Sequence, residues 1–246
     1  MLDKRNIKFK DLILFESDDY IIVNKPGNIA SLHERGPNSK SMVELAKTYN
    51  ENASLCHRLD KETSGVLLIS KNEEAYKNAA IQFEERKVKK NYHAICDGYL
   101  EFDEFLIDLP IHSGSGEKVR IDMGKGKPSQ TIFNTLEIYK NYTLLSCKPI
   151  SGRTHQIRIH LASQNAVIVG DELYGGKLPY LSKLKRKYNK PKYAEDENPI
   201  FRRVALHSRS IEFQDLQGKN LKIEAPYPND FEVFIKILKK YDLRTS

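Results

Sequence analysis

Two stretches of this 246-residue sequence gather the side chains that can do chemistry. In the first, HRLDKETSG at residues 57–65, an imidazole, a guanidinium, a lysine, two carboxylates and two hydroxyls directly precede the apolar run Val66-Leu67-Leu68-Ile69. Alternation along an extended segment puts Arg58 and Asp60 on one side. Taken alone, an Asp ahead of Thr-Ser-Gly reads as a carboxylate capping a turn. In the second stretch, GRTHQIRIH at 152–160, Arg153, His155 and Arg158 crowd the first turns of a predicted helix. The helix macrodipole disfavours cations there. A chain that accepts this cost has aimed them at an anion, either an internal carboxylate or a phosphate.

Other chemistries lack their signatures. There is no G-x-x-x-x-G-K-[ST], and Gly124-Lys125-Gly126-Lys127 has neither the spacing nor the preceding strand of a phosphate loop. There is no G-x-G-x-x-G, G-x-S-x-G or H-E-x-x-H. His155 and His160, five apart, fall on different helical faces, which argues against a metal site. Cys56, Cys96 and Cys147 are odd in number and widely separated, so neither a disulfide framework nor a zinc knuckle is indicated. The first residues, MLDKRNIKFKDLILFESDD, are charged throughout, with no apolar stretch long enough for a signal or a membrane span. A cytoplasmic protein with reduced thiols, no cofactor, no metal and no membrane association is expected.

The elements that must position the two stretches follow from periodicity. Leu12 to Phe15 and Tyr20 to Asn24 read as short strands around Glu16-Ser17-Asp18-Asp19. Ser41 to Tyr49 puts Met42, Leu45, Ala46 and Tyr49 on one helical face. Gly65 to Ser70 is a strand, and Asn72 can cap a helix that turns Ala75, Ala79 and Phe83 inward. Tyr92 to Tyr99 alternates as a strand, and Gly114 to Lys127 is a polar connection. Thr131 to Tyr139 and Tyr142 to Lys148 form a hairpin across Lys140-Asn141. The second stretch then runs from a polar turn into a helix anchored by Ile157 and Leu161, followed by a brief strand Val167 to Val169. Ala205 to Phe213 and Leu221 to Ala225 are strands about the turn Gln217-Gly218. A last helix turns Phe231, Phe234, Ile235 and Leu238 inward from a start near Asn229 or Asp230. No repeat or linker divides the chain, so one α+β domain is expected over 1–246, with its core at about 11–238. Its central sheet should be mixed and largely antiparallel, flanked by helices and loops.

Lys+Arg 40 against Asp+Glu 33 gives a net charge of +7, which favours a polyanionic partner. One segment, Lys177 to Arg203, carries nine Lys or Arg against three acids, interleaved with Tyr180, Tyr188 and Tyr193. It is either a surface insertion or an arm whose lysines meet phosphates while its tyrosines stack on bases.

Taken together, HRLDKETSG and GRTHQIRIHLA resemble the RluA-type family of RNA pseudouridine synthases. Asn24-Lys25-Pro26 with a downstream His33, Lys89-Lys90-Asn91-Tyr92 entering a strand, and KGKPSQ at 125–130 also fit. So do Gly170-Asp171 with Tyr174-Gly175, Ala205-Leu206-His207 and Ala225-Pro226. The resemblance runs in the family's order over roughly residues 12 to 230. Two features depart from it. Asn165 and Val167 stand where the family usually has Gly and Pro, and Asn tolerates the left-handed cap that stops the helix. Gly27 and Asn28 directly follow Pro26. The family's optional N-terminal RNA-binding domain is expected to be missing, since the catalytic pattern begins near Asp11.

The resemblance implies that a uridine in structured RNA becomes pseudouridine, with nothing added or removed. Ribosomal RNA is the favoured substrate and transfer RNA the other. It assigns Asp60 as the essential carboxylate, acting on the sugar or the base. Arg158 is the active-site cation, offsetting Asp60 with an ion pair. Tyr92 stacks on the uracil and can accept the proton lost from C5. Arg58 fills the place of a uridine flipped out of its stem. Lys89, Lys90 and Arg153 are candidate phosphate contacts, with ordinary solvated cations as the simpler reading. His57 and His155 join the RNA-binding set as hydrogen-bonding scaffolds rather than general bases, and His207 is read the same way. Thr63, Ser64 and Gly65 shape the turn, Lys61 and Glu62 face solvent, and Leu59 and Ile157 fill the core. A monomer is expected. The alternative is a catalytically silent RNA-binding module on the same fold, which the intact set of Asp60, Tyr92 and Arg158 disfavours. A carboxylate-nucleophile hydrolase would need a metal or phosphate site that the sequence lacks.

Overall fold

The structure is a computed structural model that describes residues 7–33, 40–114, 118–185, 188 and 197–243. Much of the basic segment 177–203 lies outside these residues, including Arg186, Lys187, Lys190, Lys192 and Tyr193. Two compact units divide the chain: residues 1–91 with 207–226, and residues 92–206 with 227–246.

The first unit begins with β1 (Ile13–Glu16) and β2 (Tyr20–Lys25), turned back by Ser17, whose Oγ accepts from the Asp19 and Tyr20 amides. Helix α1 (Met42–Tyr49) starts at Ser41, where Ser41 and Glu44 form a reciprocal capping box. The short β3 (Ser54–Leu55) leads to β4 (Ser64–Ser70), buried along its whole length. Asn72 caps α2 (Glu73–Glu84) by accepting from the Ala75 amide at 2.8 Å. β5 (Lys89–Asp97) enters from this unit, and β11 (Leu206–Gln214) and β12 (Asn220–Glu224) complete it. The order is β1-β2-β4-β11, with β12 on β11 and β3 on β4. All neighbours here are antiparallel except β4 and β11, which run parallel. Tyr20, Ile22, Val66, Leu68, Phe213 and Leu221 pack with Ala75 and Ala79 of α2 to make the core. Gln82 then clamps α2 to β11, exchanging two hydrogen bonds with the Gln214 backbone.

In the second unit, β6 (Phe105–Asp108), β9 (Gln130–Ile138) and β10 (Tyr142–Pro149) form an antiparallel set with β5 in the order β5-β10-β9-β6. A separate pair, β7 (Ile111–His112) and β8 (Arg120–Ile121), lies partly within the segment expected to be a plain connection. β6 was not anticipated, and the expected strand at Val167 to Val169 is a single bridge between Cys96 and Ile168. Helix α3 (Gln156–Ser163) stops, as its sequence requires, at Asn165 in the left-handed region with φ 57°. A short α4 (Leu181–Leu184) stands within the basic segment. α5 (Asn229–Tyr241) buries Phe231, Phe234, Ile235 and Leu238, the expected face, with Phe201 stacked on Phe234. Arg203 is buried and grips Asp230 at 2.7 and 3.0 Å, so this cation of the basic segment serves the fold. Both units thus mix helices with largely antiparallel strands, the expected class.

Gly65 is where the first motif meets its neighbour. Its φ is +110°, and a Cβ there would lie 2.1 Å from the Ser208 carbonyl oxygen on β11. No side chain fits both the conformation and the gap. Gly65→Ala is expected to lower stability by about 2–4 kcal/mol, read as a shifted urea midpoint.

Candidate functional site

The first motif is a turn held from beneath. Lys25, at the end of β2, is 0 % exposed. Its Nζ donates to the carbonyls of Pro26, Ile29 and Lys61 at 3.0, 2.8 and 3.1 Å. An ammonium has three protons and tolerates burial only where each finds an acceptor. Here three backbone oxygens supply them, and one belongs to the motif. Ser31 adds a second tie: its Oγ accepts from the Leu59 amide and donates to the Leu59 carbonyl, at 3.0 and 2.7 Å. Leu59 is therefore drawn into the core, while Arg58 is exposed and Asp60 half-buried. This is the alternation expected of an extended approach. The Thr63 amide then closes on the Asp60 carbonyl at 3.1 Å. Lys61 is exposed as expected; Glu62 is half-buried.

Histidines brace both ends of the turn. The Leu68 amide donates to His57 Nε2 at 3.0 Å, so that nitrogen is unprotonated and the ring neutral. Burial, reinforced by the charge of Lys90, pushes the His57 imidazole down to about 3. Its ring packs against Phe83, with centroids 5.1 Å apart, and Lys90 Nζ stands 5.9 Å from the centre of the Phe83 ring. Burial also pushes the Lys90 ammonium down to about 8. Lys89 is exposed and pairs with Glu212 at 2.8 Å. At the other end, buried His207 joins Ser64 Oγ at 3.0 Å to the Ala225 carbonyl at 3.3 Å. Both rings serve the backbone.

The second motif departs from its expectation. Arg153 and His155 precede the helix rather than occupying its first turns, because Gln156 folds the chain back. Its Oε1 accepts from the Arg153 amide and Ser151 Oγ at 3.0 and 2.8 Å. Its Nε2 donates to the Gln130 carbonyl and Thr131 Oγ1 at 2.9 and 3.0 Å. His155, left-handed at φ 53°, turns the chain into α3. Only Arg158 meets the dipole, and a carboxylate meets Arg158. Its Nε and Nη2 donate to Asp171 Oδ2 and Oδ1 at 2.7 and 2.6 Å, with the two side chains 7 % and 1 % exposed. Tyr174 lies 5.2 Å from the guanidinium, and its hydroxyl sits 3.0 Å from His155 Nδ1. Arg153 Nε is buried without a hydrogen bond among the described residues. Tyr92, on β5 opposite Cys147 of β10, is buried.

Asp171, Tyr174 and Gln156 are the residues that sequence reasoning left without roles. Gly170-Asp171 and Tyr174-Gly175 stood out as motif matches, but nothing linear links them to Arg158. Among the described residues no three His, Cys, Asp or Glu side chains gather as a metal group. Nor, among them, is any helix long and apolar enough to cross a membrane.

Comparison with known proteins makes the class of this fold specific. Residues 19–163 match the family model for RNA pseudouridylate synthase. The ribosomal large subunit pseudouridine synthase C of Buchnera aphidicola is 38 % identical over 242 residues, 95 % of this chain and 72 % of that protein. The C enzyme of Salmonella typhimurium is 30 % identical, over 93 % and 70 %. Among solved structures, human RNA pseudouridylate synthase domain containing 4 shares the fold with a TM-score of 0.71 at 24 % identity, covering 94 % of this chain and 95 % of that one. The chain belongs to the RNA pseudouridylate synthase family and is an RNA pseudouridine synthase, an isomerase.

Two measurements check the supports of the first motif. Lys25→Met removes the donor shared by three carbonyls, that of Ile29 in a buried bond, and is expected to cost about 2–4 kcal/mol in urea unfolding. His57 binds its proton less tightly folded than unfolded, so its contribution to stability is full above about pH 6.5 and falls as pH drops toward 3. His57→Gln is expected to flatten that part of the stability curve.

Proposed function

We propose that this enzyme isomerises uridine in large-subunit ribosomal RNA, with Asp60 as its essential carboxylate. The observation that carries this reading is the built turn at 57–65, which holds half-buried Asp60 beside exposed Arg58 with Leu59 locked in the core. The names of the relatives support the RNA: both enzymes compared above are called ribosomal large subunit pseudouridine synthases.

The reaction breaks the bond from N1 of uracil to C1′ and forms one from C5 to C1′. C5 loses a proton and N1 gains one, so the composition is unchanged. Asp60 attacks the sugar or the base as the nucleophile, and the bond it forms breaks again before the product leaves, returning the carboxylate. Arg158 provides positive charge, and Tyr92 stacks on the detached ring and accepts the C5 proton. A base within a stem must first leave the stack, at a cost of a few kcal/mol, and exposed Arg58 takes its place. Lys89, Lys90 and Arg153 meet phosphates, and the buried Arg153 Nε is a donor that an RNA oxygen can complete. His57 and His155 act as scaffolds at the RNA surface, His57 through its bond to Leu68. The chain acts as one catalytic domain and as a monomer.

Asp60→Asn is expected to lower pseudouridine formation at least about 1,000-fold while the protein stays folded and binds RNA. Full activity in Asp60→Ala would overturn the role of Asp60. Chemical mapping of pseudouridines in total RNA, from cells with and without this chain, tests the substrate. Loss of a mark from large-subunit ribosomal RNA is expected; loss from transfer RNA alone would reassign the enzyme, and loss from no RNA would favour the silent module.

A further inference from the structure

We infer that Asp171 and Tyr174 are positioning residues that fix the Arg158 guanidinium for the reaction, an inference resting on the active-site reading of Arg158. A guanidinium is planar, so two constraints define its orientation: one along an edge and one across a face. Asp171 supplies the first through paired bonds to Nε and Nη2 at 2.7 and 2.6 Å. Tyr174 supplies the second, its ring centroid 5.2 Å from the guanidinium carbon.

Both supports are themselves held. The Asp171 amide donates to the Ile168 carbonyl, and its own carbonyl accepts from Tyr174 and Gly176 at 3.0 and 2.8 Å. The loop winds so tightly that a Cβ on Gly170 would meet the Arg203 carbonyl oxygen at 2.1 Å, and one on Gly176 the Ile168 oxygen at 2.0 Å. Tyr174 is tethered by its hydroxyl, 3.0 Å from His155 Nδ1 and 3.4 Å from the Val119 carbonyl it donates to. A surface ion pair would not need this apparatus. With its charge balanced and its plane set before RNA arrives, Arg158 has nothing to reorganise in the transition state.

The test is single-turnover pseudouridine formation at saturating enzyme, on large-subunit ribosomal RNA purified from cells lacking this chain, with RNA affinity measured alongside. Asp171→Asn is expected to slow the reaction at least ten-fold while changing RNA affinity less than two-fold. In an Arg158→Lys background the same change is expected to cost less than three-fold further, because the guanidinium it positions is gone. A wild-type rate in Asp171→Asn, or an equal loss in both backgrounds, overturns the inference. Tyr174→Leu removes the stacked face without leaving a charge unpaired, and decides the matter if Asp171→Asn fails to fold. Slowing at unchanged affinity, absorbed in the Arg158→Lys background, supports the inference; a wild-type rate overturns it. A wild-type rate in Arg158→Lys itself would remove the active-site reading of Arg158 and this inference with it. A slowed Arg158→Lys beside fully active Asp171→Asn and Tyr174→Leu removes this inference alone.

Discussion

A buried ammonium must be surrounded by oxygen, and in this enzyme that demand organises the first motif. Lys25 has no solvent to turn to, so three carbonyls converge on it, from the bend after β2, from Ile29 and from Lys61. The ladder of β2 with β4 ends where Lys25 faces Gly65, and beyond it the segment after β2 and the turn after Asp60 are tied through this one charge. Ser31, from the same segment, sets Leu59 by holding both its amide and its carbonyl. Once Leu59 points inward, the residues on either side of it point away from the core. The exposure of Arg58 and the placement of Asp60 thus follow from a lysine and a serine that lie 36 and 28 residues before the motif residues they hold.

The second unit solves a related problem with different chemistry. There, a glutamine amide gathers the turn before α3 and an aspartate fixes the arginine within it. In both motifs side chains other than those proposed to react hold the backbone: Lys25 and Ser31 in the first, Gln156 in the second. Side chains that hold the backbone cannot also move with a substrate. This division leaves Arg58 exposed and Asp60 outside the core.

Local patterns in the sequence were legible wherever a local interaction decides the structure. Ser41 with Glu44, and Asn72 with Ala75, begin their helices as their spacing requires. Asn165 takes the left-handed conformation that ends α3, and the hairpin across Lys140-Asn141 forms, with one register shift between Leu144 and Leu145. The reactive turn itself was visible as a concentration of charge. What escaped depends on distance. β6 exists because Phe105 to Asp108 find Gln130 to Phe133 across a long connection. Val167 to Val169 has strand-like composition but makes only one bridge pair. Of the three cations in the second motif that were read as aimed at an anion, Arg158 meets one, yet the sequence could not show that Asp171, thirteen residues on, supplies it.

Gln156 makes a strict demand on residue type. Its amide accepts twice and donates twice, and all four partners are fixed: an amide N–H, a hydroxyl on each side and a carbonyl. A carboxylate of the same shape would face the Gln130 carbonyl with an oxygen, like against like. Asparagine is a methylene too short, and lysine or arginine has nothing with which to accept. Loss of a single amide nitrogen, as in the slow hydrolysis that ages proteins, would therefore undo the turn that launches α3 while leaving every reactive group chemically intact. The launch of α3 thus hangs on one nitrogen outside the proposed chemistry.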